Sequence, residues 1–255
     1  MAGAEQERGT VVLEEGDIFF LYRPRVEEEH PSNIGDVQRF EMVLRPHGGE
    51  RVRLLIIGRK RLPEVERHER HWGFVEAITG SAKDLEKELR ERRYGTGTRG
   101  KRSQPAARPA GEGVYAITLE DGQMHLSYAL ELPENPGEVQ KAFKIAPEAS
   151  YALSIKNPEK GKPANAGLRE DDEADYPEKL QEEFRGRRFA REDVRLLDFE
   201  GAEFILIGAR SNPEAEYGLD LGAEHEDYEH AETIRRLRMV KSRHPIKPLF
   251  KGRWA

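Results

Sequence analysis

A glycine-rich, basic loop contains the residue types that could bind a nucleotide. Gly95, Gly97 and Gly100 complete the spacing G-x-G-x-x-G, and Gly95, Gly100 and Lys101 fill G-x-x-x-x-G-K. Both motifs hold phosphate with backbone N–H groups, at a point where a strand passes through the loop into a helix. Arg102 stands where the second motif needs a serine or threonine hydroxyl to bind magnesium.

The elements around this loop argue against both nucleotide motifs. Ser81 and Asp84 resemble a capping box, and Leu85 and Leu89 follow at helical spacing, so we predict a helix over about residues 81–94. Two prolines after the loop disfavour a second helix there. A kinase-type glycine loop would need a hairpin around it, and the predicted helix opposes that as well. No nucleotide cofactor is expected.

The same segment, residues 90–108, is the most basic stretch of a chain whose formal net charge is −6. Glycine-rich backbone and guanidinium groups both bind phosphate and carboxylate groups. We therefore predict contact with an anionic partner, either a nucleic acid or a phosphorylated ligand. The alternative is a solvated, flexible connection. The candidate anion-binding residues are Arg99, Lys101, Arg102 and Arg108.

His125 is a weak candidate for a catalytic residue. The predicted hairpin places it opposite Thr118 on the polar face, where it could act as a general base if that face lines a cleft. This alternative describes a hydrolase or transferase that uses His125 with an unidentified carboxylate. A histidine in such a position is more often simply exposed.

The chain offers no convincing set of metal ligands. It has no cysteine, so thiolate sites and disulfides are excluded. His225 and His230 are five residues apart, whereas two histidines that share a metal on one helix face are four apart. His68 and His71 have no third ligand nearby in the sequence. We therefore predict no metal site.

The C-terminal tail carries two aromatic residues, Phe250 and Trp254, among basic side chains. Such a tail either folds back onto its own domain or docks on a second subunit or another protein. The second case would make the protein an assembly subunit, either a homo-oligomer or part of a larger complex.

The predicted fold class is α+β, with mainly antiparallel β hairpins and peripheral helices. Asp121-Gly122 predicts a type I′ turn that pairs Leu119 with Met124 and Tyr115 with Tyr128. Other strands are predicted near residues 17–23, 40–44, 52–57, 72–78, 151–155 and 204–207. Other helices are predicted near residues 139–143, 180–184 and 226–240. The run at 17–23 is nearly all apolar, which is typical of a strand buried on both faces.

The chain divides by composition into a β-rich N-terminal portion (1–158), a mobile linker (159–174) and a smaller α/β portion (175–255). The linker is polar, charged and contains glycine and proline. The alternative is that both portions belong to one domain. The N-terminus lacks the apolar region of a signal peptide, and residues 18–22 are too few to span a bilayer. We expect a soluble, cytoplasmic protein with no membrane partner.

Two resemblances add to these expectations. Residues 16–24, 37–40, 57–63 and 108–115 together resemble an uncharacterised bacterial family, which implies a bacterial source but no activity. Gly16, Asp17, Phe20 and Tyr22, followed by residues 73–76, are similar to small EVE or PUA-like barrels. That similarity implies recognition of modified nucleobases.

The leading functional hypothesis is a non-enzymatic binding or interaction protein that engages an anionic partner through residues 90–108. A polar-cleft enzyme near His125 and an assembly subunit that docks through its tail are the alternatives.

Overall fold

Antiparallel strands make up most of the structure, a computed structural model that describes residues 10–49, 51–97, 100–161, 167–211, 221, 237 and 247–255. The strands are β1 (Val11–Pro24), β2 (Val37–Pro46), β3 (Val52–Ile57), β4 (Arg70–Thr79), β5 (Arg92–Thr96), β6 (Gly100–Gln104), β7 (Arg108–Glu120), β8 (Gln123–Leu132), β9 (Glu148–Lys156), β10 (Phe189–Ala190) and β11 (Glu203–Arg210). The helices are α1 (Ala82–Leu89), α2 (Glu138–Phe143), α3 (Glu178–Gln181) and α4 (Lys247–Lys251). Short 3-10 turns lie at Ile34–Asp36, Glu170–Asp172, Glu182–Phe184 and Val194–Leu197.

Eight of the strands close into an antiparallel barrel. Their order is β1-β2-β3-β4-β11-β9-β8-β7, and β7 pairs again with β1. Strand β10 extends one edge of β9, while β5 and β6 form a separate two-stranded sheet. The predicted antiparallel β structure is therefore confirmed. The described helices are short, so the expected α+β class is only partly matched, and that predicted class did not include closure of the sheet.

Strand β1 is buried on both faces, as its apolar run predicted. Ile18, Phe20 and Tyr22 belong to the main core. Phe19 and Leu21 alternate with them and belong to a second cluster, which includes the two leucines of α1. Helix α1 therefore covers the outer face of the barrel beside β1. This packing fixes the position at which the segment containing β5 begins.

Aromatic side chains fill the barrel interior. The buried rings include those of Phe20, Phe40, Tyr115, Tyr128, Tyr151 and Phe204. Phe143 of α2 stacks on Phe40 with 4.9 Å between ring centroids, and Trp254 of the tail lies 5.5 Å from Phe143. Helix α2 and the tail therefore close one end of the barrel. The interior is a packed core, and the clefts discussed below lie on the outer surface.

A buried ionic network lies towards the opposite end. Arg53 is only 2% exposed. Its Nη1 and Nη2 donate to the two carboxylate oxygens of Glu14 at 2.5 and 2.8 Å, and its Nε donates to Asp198 at 2.8 Å. The Tyr115 hydroxyl also donates to Glu14, at 2.7 Å. Arg51 also pairs with Asp198, at 3.3 Å. Two arginines thus balance two carboxylates, and buried ions are tolerated when they are paired and hydrogen-bonded.

The β7–β8 hairpin has the predicted register. Leu119 pairs with Met124 and Tyr115 pairs with Tyr128. Asp121 and Gly122 have φ angles of +48° and +74°, which a type I′ turn requires. Local turn chemistry and hydrophobic alternation specify this hairpin together.

The helix after Ser81 is shorter than predicted. Ser81 caps α1 as expected, but α1 ends at Leu89, and β5 begins at Arg92 instead of the helix continuing to residue 94. The prediction was wrong at this end because Arg23 of β1 binds the terminal turn: Nη2 donates to the Glu88 carbonyl at 2.8 Å and Nη1 to the Arg90 carbonyl at 3.1 Å. A long-range contact thus provides partners that carbonyls at a helix end need.

Both predicted portions of the chain contribute strands to the barrel. Strand β11, from the C-terminal portion, lies between β4 and β9 of the N-terminal portion. Within the predicted linker, residues 162–166 lie outside the described residues, whereas Ala174 is buried. The predicted final helix at 226–240 also lies outside them, apart from the buried Leu237.

Candidate functional site

A two-stranded arm formed by β5 and β6 carries the glycine-rich loop. Gly95 pairs with Lys101, Thr96 pairs with Gly100, and the tip lies between them. A Cβ added at Gly95, Gly97 or Gly100 would meet no atom within 4 Å, so these three glycines have open space beside them. The loop therefore connects strand to strand. This excludes the strand–loop–helix context of the two phosphate-binding motifs, and it corrects the expectation that no hairpin surrounds the loop.

The four predicted anion-binding residues lie in different environments. Lys101 is exposed on β6. Arg102 also lies on β6 and forms an ion pair with Glu27. Arg108 is in β7 and is only 4% exposed; its guanidinium donates to the Ala255 carbonyl and, at 2.7 Å, to the Glu29 carbonyl. Arg99 lies outside the described residues. Lys101 and Arg102 are thus together on the arm, and Arg108 is buried away from it.

Tyr94 is a surface feature of the arm that the sequence prediction missed. It is 44% exposed and is one of three large apolar side chains exposed in the described part of the chain. Because Tyr94 pairs with Arg102, and Arg92 lies two residues before it on the same strand, all three side chains share one face of the ribbon. The sequence signal for this face was the placement of Arg92 and Tyr94 two residues apart, which is the spacing of one face of a strand. The predicted helix over residues 81–94 obscured that signal.

The arginines of the arm are paired with nearby carboxylates. Arg92 pairs with Glu88 of α1, and Arg93, whose side chain is 80% exposed, pairs with Glu91 at 2.7 Å. Arg102 pairs with Glu27, as noted above. The local charge is therefore partly balanced in the free protein. Any anionic partner must exchange with these carboxylates.

A cleft of about 260 Å³ lies beneath the Tyr94 face of the arm. Arginine and glutamate side chains line it in equal number: Arg23, Arg39, Arg92, Glu41, Glu76 and Glu88. Arg23 donates to Glu41 at 3.0 Å, and Arg39 donates to Glu76 at 2.6 Å. The cleft wall therefore has no net charge to attract an anion, and the exposed rim at Tyr94 is the better contact surface.

His125 lies on β8 opposite Thr118, as predicted, and its side chain is half-buried. It does not line the arm cleft, and it does not line the second cleft, which lies on β4. Burial, together with the smaller effect of the nearby charge of Arg210, lowers the pKa of His125 to about 4. A histidine with this pKa is neutral at pH 7 and a weak general base.

We expect the His125 ring to titrate near pH 4 instead of its ordinary value of 6.5. Between these two values the unfolded chain binds a proton that the folded chain does not, so stability should decrease as the pH falls from 6.5 towards 4. NMR titration of the ring measures the pKa, and His125→Gln should reduce the loss of stability in that range. A midpoint near 6.5 would contradict the buried environment.

The aromatic residues of the tail pack against the chain itself. Trp254 lies 5.4 Å from Tyr22 and 5.5 Å from Phe143, between ring centroids. Phe250 is partly buried beside Leu132 and Leu249. The tail therefore folds back on its own barrel, and docking of Phe250 and Trp254 on a partner stays a prediction.

In the part of the chain that the structure covers, no helix is long and apolar enough to cross a membrane. The same residues contain no cluster of three or more histidine, aspartate or glutamate side chains that could hold a metal ion. The family resemblances suggested by the sequence stay predictions, because the chain matches no protein-family model, no curated protein and no solved structure.

Proposed function

We propose that this protein is a non-enzymatic binding protein that engages a single-stranded nucleic acid through the β5–β6 arm. The observation that carries the proposal is the exposed Tyr94 ring on a ribbon face that also bears Arg92 and Arg102. Proteins that bind single strands combine aromatic rings, on which bases stack, with basic side chains that contact the phosphates. The arm has both groups on one face.

The carboxylate pairs of the arm are compatible with this role. Exposed ion pairs contribute little to stability, because water already solvates both charges well. On the Tyr94 face, the Arg92 side chain is 51% exposed and the Arg102 side chain is 23% exposed. The Glu27 side chain paired with Arg102 is 47% exposed, so exchanging a glutamate for a phosphate requires little buried rearrangement. Guanidinium groups bind phosphate oxygens in a bidentate geometry. The pairs hold the arginines in position while leaving them accessible.

The proposal predicts that a fluorescently labelled single-stranded oligonucleotide binds at low salt and that Tyr94→Ala weakens this binding at least roughly fivefold, through loss of base stacking. The double variant Lys101→Ala with Arg102→Ala should also bind more weakly and should show a smaller salt dependence. Fluorescence anisotropy measures both effects.

Arg195→Ala is the matched control, because Arg195 is an exposed arginine, also paired with a carboxylate, outside the arm. Its affinity should equal that of the unmodified protein. Absence of oligonucleotide binding at low salt, or equal losses in the control and the arm variants, would contradict the proposal.

A further inference from the structure

A second cleft, of about 510 Å³, lies on the outer face of β4. His71 and Val75 are buried, and a Cβ at Gly73 would strike the Phe204 ring, so these three positions face the core. The alternate residues of β4 therefore face outward, and they are Arg70, Trp72 and Phe74. All three line the cleft, together with Arg59 from the turn after β3.

Arg59 and Arg70 differ from the arginines of the arm in their charge environment. Both are exposed, and neither makes an ion pair or side-chain hydrogen bond with any residue that the structure describes. Arg61, two residues after Arg59, instead donates to both carboxylate oxygens of Glu69 at 2.7 and 3.0 Å. The cleft thus presents two guanidinium groups that are available to a ligand.

The acidic residue in the wall of this cleft, Glu203, shares the Lys156 ammonium with Glu173. Glu203 is 5% exposed, and its Oε2 lies 2.9 Å from the Lys156 ammonium. Its Oε1 accepts a hydrogen bond from the Leu168 backbone N–H at 2.8 Å. The positive charge of Arg59 and Arg70 is therefore not cancelled within the cleft.

Trp72 and Phe74 supply aromatic surface next to these charges. Both rings are half-buried on the outer face of the barrel, where they add nothing to the main core. Residues two apart on a strand are about 7 Å apart on the same face. The Trp72 ring also lies 6.1 Å from the Phe189 ring, between centroids. Partly exposed aromatic rings beside guanidinium groups favour a ligand that has a flat ring and an anionic group.

We propose that this cleft binds a mononucleotide, with the base on Trp72 and Phe74 and the phosphate on Arg59 and Arg70. Its volume of about 510 Å³ falls within the roughly 300–1,000 Å³ of small-molecule sites. This site is separate from the arm, and the proposal does not depend on nucleic-acid binding there.

A neighbouring acidic cleft sets the orientation of the ligand. It shares Phe74 and Leu168 with the mononucleotide cleft. Besides Arg39, its charged residues are all acidic: Glu76, Asp171, Asp172, Glu173 and Glu200. These carboxylates repel a phosphate from the Phe74 side, so the phosphate lies at the Arg59 and Arg70 side and the base points towards Phe74.

Quenching of Trp72 fluorescence by AMP tests the proposal. The chain has two tryptophans, so Trp254→Phe leaves Trp72 as the sole reporter. We expect AMP to quench this signal saturably, and adenosine and inorganic phosphate each to bind at least tenfold more weakly. The double variant Arg59→Ala with Arg70→Ala should weaken AMP binding at least tenfold, and calorimetry should show the same loss for Trp72→Leu in the otherwise unmodified protein.

Two controls separate this site from the arm and from loss of fold. The arm variant Lys101→Ala with Arg102→Ala should bind AMP normally, and each cleft variant should keep the thermal midpoint of the parent protein. Absence of saturable AMP binding at millimolar concentration and low salt would overturn the proposal. So would unchanged affinity in a folded Arg59→Ala, Arg70→Ala variant, or phosphate binding as tight as AMP binding.

Discussion

Replacing Arg53 by methionine is expected to lower the free energy of unfolding by about 3–5 kcal/mol. The substitution leaves Glu14 and Asp198 largely buried, with side chains 12% and 17% exposed, and removes the cation that both of them contact. Glu14 would then be an unpaired carboxylate in a medium of low dielectric constant, and the hydrogen bond from Tyr115 cannot replace a charge. Asp198 would keep only the exposed Arg51, whose Nη1 lies 3.3 Å from its Oδ2.

Urea denaturation followed by circular dichroism measures this loss. Arg195→Met is the matched control, because Arg195 forms the same kind of pair with Asp193 but its side chain is 60% exposed. The control should change stability little, since water screens exposed pairs. Equal effects of the two substitutions would contradict a buried network at Arg53.

Phe143→Ala is expected to destabilise the barrel by about 3–5 kcal/mol, the range for truncating a buried phenylalanine. The Phe143 ring is fully buried and contacts Phe40, Tyr22 and Trp254, with ring centroids 4.9, 5.2 and 5.5 Å away. Its removal opens a cavity where α2 and the tail close the barrel. Because the three neighbouring rings are held by other elements, they cannot collapse fully into the space.

The same substitution should loosen the C-terminal tail. Trp254 would lose one of its two aromatic contacts, so its fluorescence emission should shift towards the wavelength of exposed tryptophan, which Trp72→Phe would make easy to resolve. Tyr94→Ala serves as the control, since it truncates an exposed aromatic ring. A Phe143→Ala variant as stable as this control would show that α2 does not seal the core.

Local features of the sequence were sufficient to predict the hairpins. Asp121-Gly122 specifies the turn and the alternation of apolar residues specifies the face, so the pairing of Tyr115 with Tyr128 could be predicted without other information. The apolar run of β1 likewise predicted burial on two faces. In each case the determining interactions lie within a few residues of one another.

Closure of the barrel could not be predicted in the same way. Strand β11 pairs with β4, more than a hundred residues earlier in the chain, and with β9 on its other side. The alternation of apolar and polar residues within a strand does not determine which other strand it pairs with, so the sequence was equally compatible with separate hairpins. Phe204 and Leu206 of β11 are buried in the main core, so the contacts that hold this strand come from residues distant in the sequence.

The candidate site was located in the sequence but its geometry was not. The basic composition of residues 90–108 identified the segment, yet the helical pattern from Ser81 extended through Tyr94 and hid the strand. The contacts that end the helix come from Arg23, which no local pattern could reveal. Arg59 and Arg70 were overlooked because their significance lies in the absence of ion pairs with any described residue, which only three-dimensional structure shows.

The most direct test of nucleic-acid binding by the arm compares the affinity of the unmodified protein with that of Glu27→Gln for a single-stranded oligonucleotide. The substitution releases Arg102 from its ion pair on the Tyr94 face. Glu183→Gln removes the same charge from another exposed site and is the matched control. We expect Glu27→Gln to bind more tightly than both the unmodified protein and the control, with an affinity that falls steeply between about 50 and 200 mM salt. Equal affinity of the two glutamine variants, or binding that salt does not weaken, would contradict the proposed function.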